Sequence, residues 1–374
     1  MNNKKKLDIF GIIADSNATS SIIAIVLGLL VGFIFIAIAI PAMAGQGISA
    51  LMTSGFANMR NLGQVLFNAT PIIMTGLSVA FAGKTGLFNI GASGQFTMGG
   101  YLAILVGVRL TGVSGPLLLI IATLAAIVGG AIWGAIPGIL KAWRNVNEVI
   151  TCIMMNYIGM FFVNYLIIRT VFDQTRNMTI RVQPDANYPP LGLDKIFAAD
   201  GMRPTDLTSA FIVAILVAIL MFVILEKTTL GFELKACGYN QDAAKYAGIS
   251  AKRGTVIAMT ISGALAGLGG ALFYIGGSNP SIQVVNVIAT QGFDGIPVAL
   301  LALNNPIGVI FSAIFLGYLS TGGQAMQALG FTREIVNMII AVIIYFSALA
   351  LLFKGVFQKI NAKLNKNKEV NANE

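Results

Sequence analysis

The sequence predicts an all-α integral membrane protein with about ten transmembrane helices, discontinuous glycine-rich segments, and both termini inside the cell. Three observations carry this expectation. Charged residues make up 10% of the 374, against about 25% in an ordinary soluble domain, while the apolar set reaches 56% and mean hydropathy is +0.81. A soluble fold of this size cannot cover its surface with so few charges, so the bilayer is its natural solvent. Runs of the roughly 20 apolar residues that cross the hydrocarbon core recur along the chain. The 24 Lys and Arg residues fall between those runs with a strong bias to one side.

Taken in order, the expected spans are 22–40, 62–82, 87–108, 116–140, 149–168, 207–225, 256–275, 285–303, 306–320 and 335–353. Residues 1–21 form a cytoplasmic N-terminal segment with Lys4, Lys5 and Lys6. Ala42-Met43-Ala44 resembles a signal-peptidase site, but the uninterrupted apolar run before it is longer than a normal h-region, so a retained helix is expected. With the N-terminus inside, sixteen of the 24 basic residues are cytoplasmic, including Lys84, Lys141, Arg144, Lys227, Lys235 and Lys245. Five of the other eight sit in one outer loop, 169–206, together with five aspartates, Asp200 among them. That loop and the inner loop 226–254 are too short for cores of their own, so 22–353 reads as a single transmembrane domain. Residues 354–374 read as a frayed cytoplasmic tail. The net charge of +9 is therefore a map of orientation in a multi-pass protein of the cell membrane. Lipid is an expected partner; nucleic acid is not.

Several chemistries drop out. The chain has no histidine, which removes Ser-His-Asp and Cys-His catalysis and His-ligated zinc. No carboxylate cluster suggests a metal site, and no catalytic residue or cofactor is expected. Cys152 lies in an apolar run and Cys237 in a charged one, so a disulfide is not expected. Ser78-Val-Ala-Phe-Ala-Gly83-Lys84-Thr85 approximates a phosphate-binding loop, but Ser78 replaces its first glycine and a membrane helix precedes it instead of a buried strand. ATP binding by this chain is not expected.

Glycines at 130, 134 and 138 share one helix face, and Gly263 and Gly267 share another. Small residues let backbones approach in lipid, so both faces read as packing seams, with a sliding interface as the functional alternative. Pro137 is expected to kink its helix. Two regions break the apolar pattern: 83–95, with Asn89, Ser93 and Gln95, and 290–297, with Gln291 and Asp294. Irregular backbone at membrane depth is tolerated beside protein or a wet cavity, where helix ends bind polar solutes. Both regions therefore point to a translocation path, while the structural alternative is tight reversals capped by the same polar residues. Asn156 and Asn164 suit helix–helix hydrogen bonds first and pore lining second. Glu148 is expected to pair with Arg144 at i,i+4. Asp294 has no basic residue near it in sequence and stands out.

Within the inner loop, Phe232, Ala236, Tyr239, Ala243, Tyr246 and Ala247 trace a helical face, with a break expected at Gly238 and a close at Gly248. An interfacial helix on lipid headgroups and a docking helix for a cytoplasmic partner both fit.

The segments Gly86-Leu-Phe-Asn-Ile-Gly-Ala-Ser-Gly-Gln95 and Leu234-Lys-Ala-Cys-Gly-Tyr-Asn-Gln-Asp-Ala-Ala-Lys-Tyr-Ala-Gly-Ile249, with Gly292-Phe-Asp-Gly-Ile296 and Asn305-Pro306, resemble the membrane permeases of ABC importers for branched-chain amino acids, simple sugars and nucleosides. The likeness is nearest to the nucleoside branch and runs from the second span to the last. It implies a ten-helix permease that works as a heterodimer with a second permease subunit, together with ABC ATPase subunits and an extracellular solute-binding lipoprotein. It also implies that 232–249 is the coupling element, through Glu233, Lys235, Gly238, Asn240, Asp242, Ala243, Ala244 and Gly248. The same resemblance puts the regions 86–95 and 291–295, with Asn89, Ser93, Gln95, Gln291 and Asp294, on the path, and Asn156 joins them as a candidate through its polarity in an apolar span. Cys237 and Tyr239 depart from common family forms. A stand-alone ion-coupled carrier, using Asp294 and Glu148 as titrating groups, is the alternative.

Overall fold

The computed structural model describes residues 17–198, 204–277 and 281–348. Lys4, Lys5, Lys6, Asp200, Arg203 and the tail 354–374 lie outside the described residues. Helices follow the apolar runs: α1 (Asn17–Ala39), α2 (Ala44–Thr53), α3 (Met59–Lys84), α4 (Ala92–Arg109), α5 (Gly115–Arg144), α6 (Glu148–Thr170), the short α7 (Leu193–Ile196), α8 (Ala210–Lys227), α9 (Thr229–Tyr239), α10 (Gln241–Tyr246), α11 (Ala251–Tyr274), α12 (Thr290–Leu301), α13 (Pro306–Ala328) and α14 (Arg333–Ala348). Among the described residues, six of these are long and apolar enough to cross a membrane: α3, α5, α6, α8, α11 and α13.

Local chemistry sets the boundaries. Asn58 and Asn147 cap α3 and α6, their side chains accepting from Asn61 N (2.8 Å) and Val149 N (2.9 Å). Asn145, in the left-handed region at φ 50°, ends α5. That stop separates Arg144 from Glu148, so the expected helical pair does not form. Glu148 instead meets Lys141 at 2.9 Å across the turn. Backbone helix continues through Pro71, Pro137 and Pro297.

Two compact units divide the chain. In the unit formed by residues 1–52 and 322–374, α1 packs on α14, with Gly28 against the backbone of Ile343, and Gly47 faces the Phe331 ring. The unit spanning 53–321 holds α3 to α12. Its centre is a seam of backbone contact. A Cβ on Gly130 would lie 2.3 Å from the Gly263 carbonyl oxygen, one on Gly267 2.4 Å from that of Ala126, and one on Gly99 2.4 Å from Gly267 Cα. The small-residue faces of α5 and α11 thus meet directly, and α4 packs against the same helix. The opposite face of α5 exposes Leu117, Ile120, Leu124, Val128 and Ile132, apolar side chains suited to lipid.

At one end of this unit, β1 (Phe172–Asp173) and β2 (Met178–Thr179) form a hairpin that pairs further with 282–284 through Thr179 N to Ile282 O and Val284 N to Asn177 O. Asn164 serves this junction: its Nδ2 donates to Val285 O and Asn286 Oδ1, so it holds a loop and not a neighbouring helix.

Candidate functional site

The break between α3 and α4 is built by a helix stop and then filled with side chains. Gly86, at φ +74°, closes α3, with Leu87 N bonded to Ala82 O and Gly86 N to Gly83 O. These two hydrogen bonds satisfy carbonyls that the stopped helix would otherwise leave bare in an apolar setting. Residues 87–91 are then non-helical, and α4 begins at Ala92, later than the expected span start at 87.

Asn89 stitches the gap. Its Nδ2 has three acceptors within reach of its two hydrogens, Gln95 Oε1 (2.8 Å), Ser262 Oγ (2.7 Å) and Ser78 Oγ (3.1 Å), and its Oδ1 accepts from Gly91 N (3.0 Å) and Gln95 Nε2 (3.1 Å). Ser262 Oγ donates to the Ser78 carbonyl (2.7 Å). Asn156 on α6 completes the node, accepting from Gly94 N (2.8 Å) and donating to Ile90 O (3.0 Å). Asn89, Gln95, Asn156, Ser78 and Ser262 are all at most 1% exposed. Buried polar groups this well satisfied fix the local backbone strongly. Composition alone hid Ser78 and Ser262. Ser78 sat in the phosphate-loop lookalike, and Ser262 is a lone hydroxyl among glycine and alanine.

The second break meets the first. Ser93, fully buried, donates to the Ala289 carbonyl, and Thr75 Oγ1 donates to the Gln291 carbonyl at 2.8 Å. Gly292 seats on Ser93 and Gly295 on the Thr75–Gly76 backbone, with Cβ approaches of 2.3 and 2.5 Å. The α12 N-terminus is thus held beside that of α4. At 12 residues, α12 is about 18 Å long, short of a full crossing. Its other end reaches Asn304, whose side chain packs on Gly83.

The two regions differ in what their side chains face. Asn89, Ser93, Gln95 and Asn156 are buried and bonded, whereas Gln291 and Asp294 are only half-buried. Among the described residues, neither the Gln291 nor the Asp294 side chain has a hydrogen bond or ion pair.

The inner loop departs from expectation in one respect. The helix runs through Gly238 and breaks at Asn240, which is extended (φ −158°, ψ 110°) and caps α10 by accepting from Asp242 N (2.9 Å) and Ala243 N (3.0 Å). An Asx cap is a stronger stop than a helical glycine. Gly238 has another job: it lies on the Thr85–Gly86 backbone, a Cβ there approaching Thr85 C to 2.7 Å. Gly248 closes the element at φ +81°, as expected. Leu234, Cys237 and Ala244 point inward and are buried, and burial, followed by the Glu233 charge, pushes the Cys237 thiol up. Lys235 is tied to Glu226 at 2.9 Å. Glu233, Asp242, Ala243, Phe232, Tyr239 and Tyr246 face outward, the last at 97% exposure.

A family model for the permease component of branched-chain amino acid transport systems matches residues 61–348. The chain belongs to that permease family. It is 40% identical over 345 residues to the guanosine ABC transporter permease protein NupP of Bacillus subtilis, covering 91% of this chain and 96% of the relative. It is 37% identical over 346 residues to the nucleoside ABC transporter permease protein NupB of Lactococcus lactis, covering 91% and 93%. The glucose ABC transporter permease protein TsgB13 of Haloferax volcanii is 31% identical over 334 residues, 86% and 84%. The first two organisms each contribute a second, more distant match, NupQ at 26% and NupC at 28% identity over 277 residues, covering 71% and 70% of this chain and 81% and 82% of those relatives. No solved structure gives a significant match. The protein is a multi-pass transport component of the cell membrane and not an enzyme.

Proposed function

We propose that this chain is a membrane subunit of an ABC importer for nucleosides. The observation that carries the reading is the near full-length likeness to NupP and NupB, joined to an inner loop whose outward face is exposed. In this reading the chain crosses the membrane ten times as one permease domain, N-in and C-in, and α12 is a half-crossing helix. A second permease completes the path, as the paired matches NupP with NupQ and NupB with NupC suggest. ATP is hydrolysed on separate subunits, and an extracellular lipoprotein delivers the solute.

Two helix N-termini converge where Ser93 meets Ala289, and such ends offer N–H groups and positive dipole to a polar solute. Gln291 and Asp294, free of protein partners among the described residues, line the path; Asn89, Ser93, Gln95 and Asn156 hold its wall. On α9 and α10, Glu233, Asp242 and Ala243 with the exposed aromatics meet the ATPase. Lys235, Gly238, Asn240, Ala244 and Gly248 shape that element and seat it. Motion then passes through the Gly238–Gly86 contact into the Asn89 node.

The test is uptake of radiolabelled guanosine and uridine into proteoliposomes carrying this chain, the second permease and the ATPase, with the lipoprotein supplied at the outer face. Uptake that needs ATP is expected. Uptake driven by a proton or sodium gradient in vesicles without ATPase would instead make the chain an ion-coupled carrier working through Asp294.

A further inference from the structure

Two adjoining cavities at the α10 end of the bundle share only Asp242 with the residues assigned above to the ATPase surface. The first, about 510 Å³, opens between the end of α5, α10 and the start of α11, and is lined by Lys141, Trp143, Asp242, Lys245, Lys252 and Thr255. That is within the size range of small-ligand sites. The second, about 220 Å³, is an apolar slot formed by Trp143, Val256 and Ile257, with Lys252 and Arg253 at its edge. Trp143 and Lys252 border both, so polar and apolar halves are continuous.

The charge balance is one-sided. Lys141 is already held by Glu148. Lys245, Lys252 and Arg253 are exposed and have no ion pair among the described residues, while Asp242 is the carboxylate on the lining. Trp143 is 65% exposed, an amphipathic ring of the kind that settles at the headgroup level of a bilayer. An inorganic anion would need the basic half alone. A neutral lipid would need the slot alone.

We infer that this double cavity binds an anionic phospholipid, its phosphate between Lys245 and Lys252 and the start of one acyl chain along Trp143, Val256 and Ile257. Basic groups near an anionic surface each add measurably to lipid affinity, and the slot adds an apolar contact that a free phosphate cannot use. Lipid bound there lies against α10 and α11 together, and so bears on the seating of the α9–α10 element.

The chain has two tryptophans, Trp133 and Trp143, which makes the site readable. Wild type and W143F, both full-length, are placed in phosphatidylcholine vesicles containing a small fraction of acyl-brominated phosphatidylglycerol or acyl-brominated phosphatidylcholine. Subtracting the W143F signal isolates Trp143. Brominated phosphatidylglycerol is expected to quench Trp143 about fivefold more strongly per mole fraction. That excess should shrink in K245Q/K252Q, and in 1 M salt, where exposed charges are screened. K252Q alone, together with the salt dependence in wild type, serves if the double variant misfolds. Equal quenching by the two lipids overturns the inference. So does an emission shift of Trp143 produced by inorganic phosphate without any excess quenching by the anionic lipid, which would assign the basic half to a free anion. A signal lost only when the ATPase subunit is added, with no lipid preference, would assign the surface to that partner and likewise overturn it.

Discussion

The α5–α11 seam and the α3–α4 break lie in the same compact unit and are closed by opposite means. The seam has no side chains to speak of: Gly130, Gly134, Gly263 and Gly267 press backbone on backbone. The break has no regular backbone and is held by side chains, with Asn89 bonding to Ser78, Ser262 and Gln95 at once. A backbone seam has one way to fit. A satisfied hydrogen-bond node fixes its backbone through side chains instead. Both are fixed frames, and beside them, at the start of α12, Gln291 and Asp294 are half-buried with no side-chain partner among the described residues.

The sharpest way to break this comparison is Gly267→Val. Its side chain would enter space taken by the Gly130 backbone and the Ala126 carbonyl, and a loss of about 3 kcal/mol is expected. Thermal melting in detergent reads it directly; a wild-type melting curve would mean the seam is looser than described. Next comes Asn89→Leu, which leaves the Gly91 amide and the Gln95 side chain short of a buried partner, for a loss of about 2 kcal/mol. Its melting shift should shrink when paired with Ser262→Ala, since the two act in one network, whereas Gly267→Val should add independently.

Gly86→Ala tests the link between loop and node. The left-handed backbone at φ +74° costs an alanine about 1–2 kcal/mol. The added methyl also meets Gly238 Cα at 2.8 Å. ATP hydrolysis should continue in the assembled complex while uptake falls at least several-fold; full coupling in this variant would remove the proposed route from α9 to the node. The smallest stability effect belongs to Asp294→Asn, within about 0.5 kcal/mol because no protein partner is lost among the described residues. Transport should nevertheless change. Melting that drops sharply with transport intact would mean Asp294 is a structural residue and not a path residue.

Much of the frame was legible because lipid imposes simple rules. Most apolar runs became helices, though the run 285–303 is helical only over Thr290–Leu301; glycines at four-residue spacing became the seam, and Gly248 closed its element at positive φ. Individual polar roles were far less legible. Ser93 read equally well as a path residue or as a cap, and Asn156 as a helix–helix bond first and a path residue second, because a sequence does not say which way a side chain points. Arg144 and Glu148 had the spacing of a helical pair, but a left-handed Asn145 intervened and Lys141 took the carboxylate. Gly238 looked like a helix breaker when its role is close approach to Gly86.

The sequence by itself determined the solvent, the helical class and the family, since these follow from composition, run length and motif order, which folding cannot change. Only the tertiary structure decided which polar residues are consumed by the fold and which remain open. Hydrogen-bond capacity is spent by neighbours distant in sequence, as Asn89 is by Ser262 across 173 positions, and no local pattern records that choice.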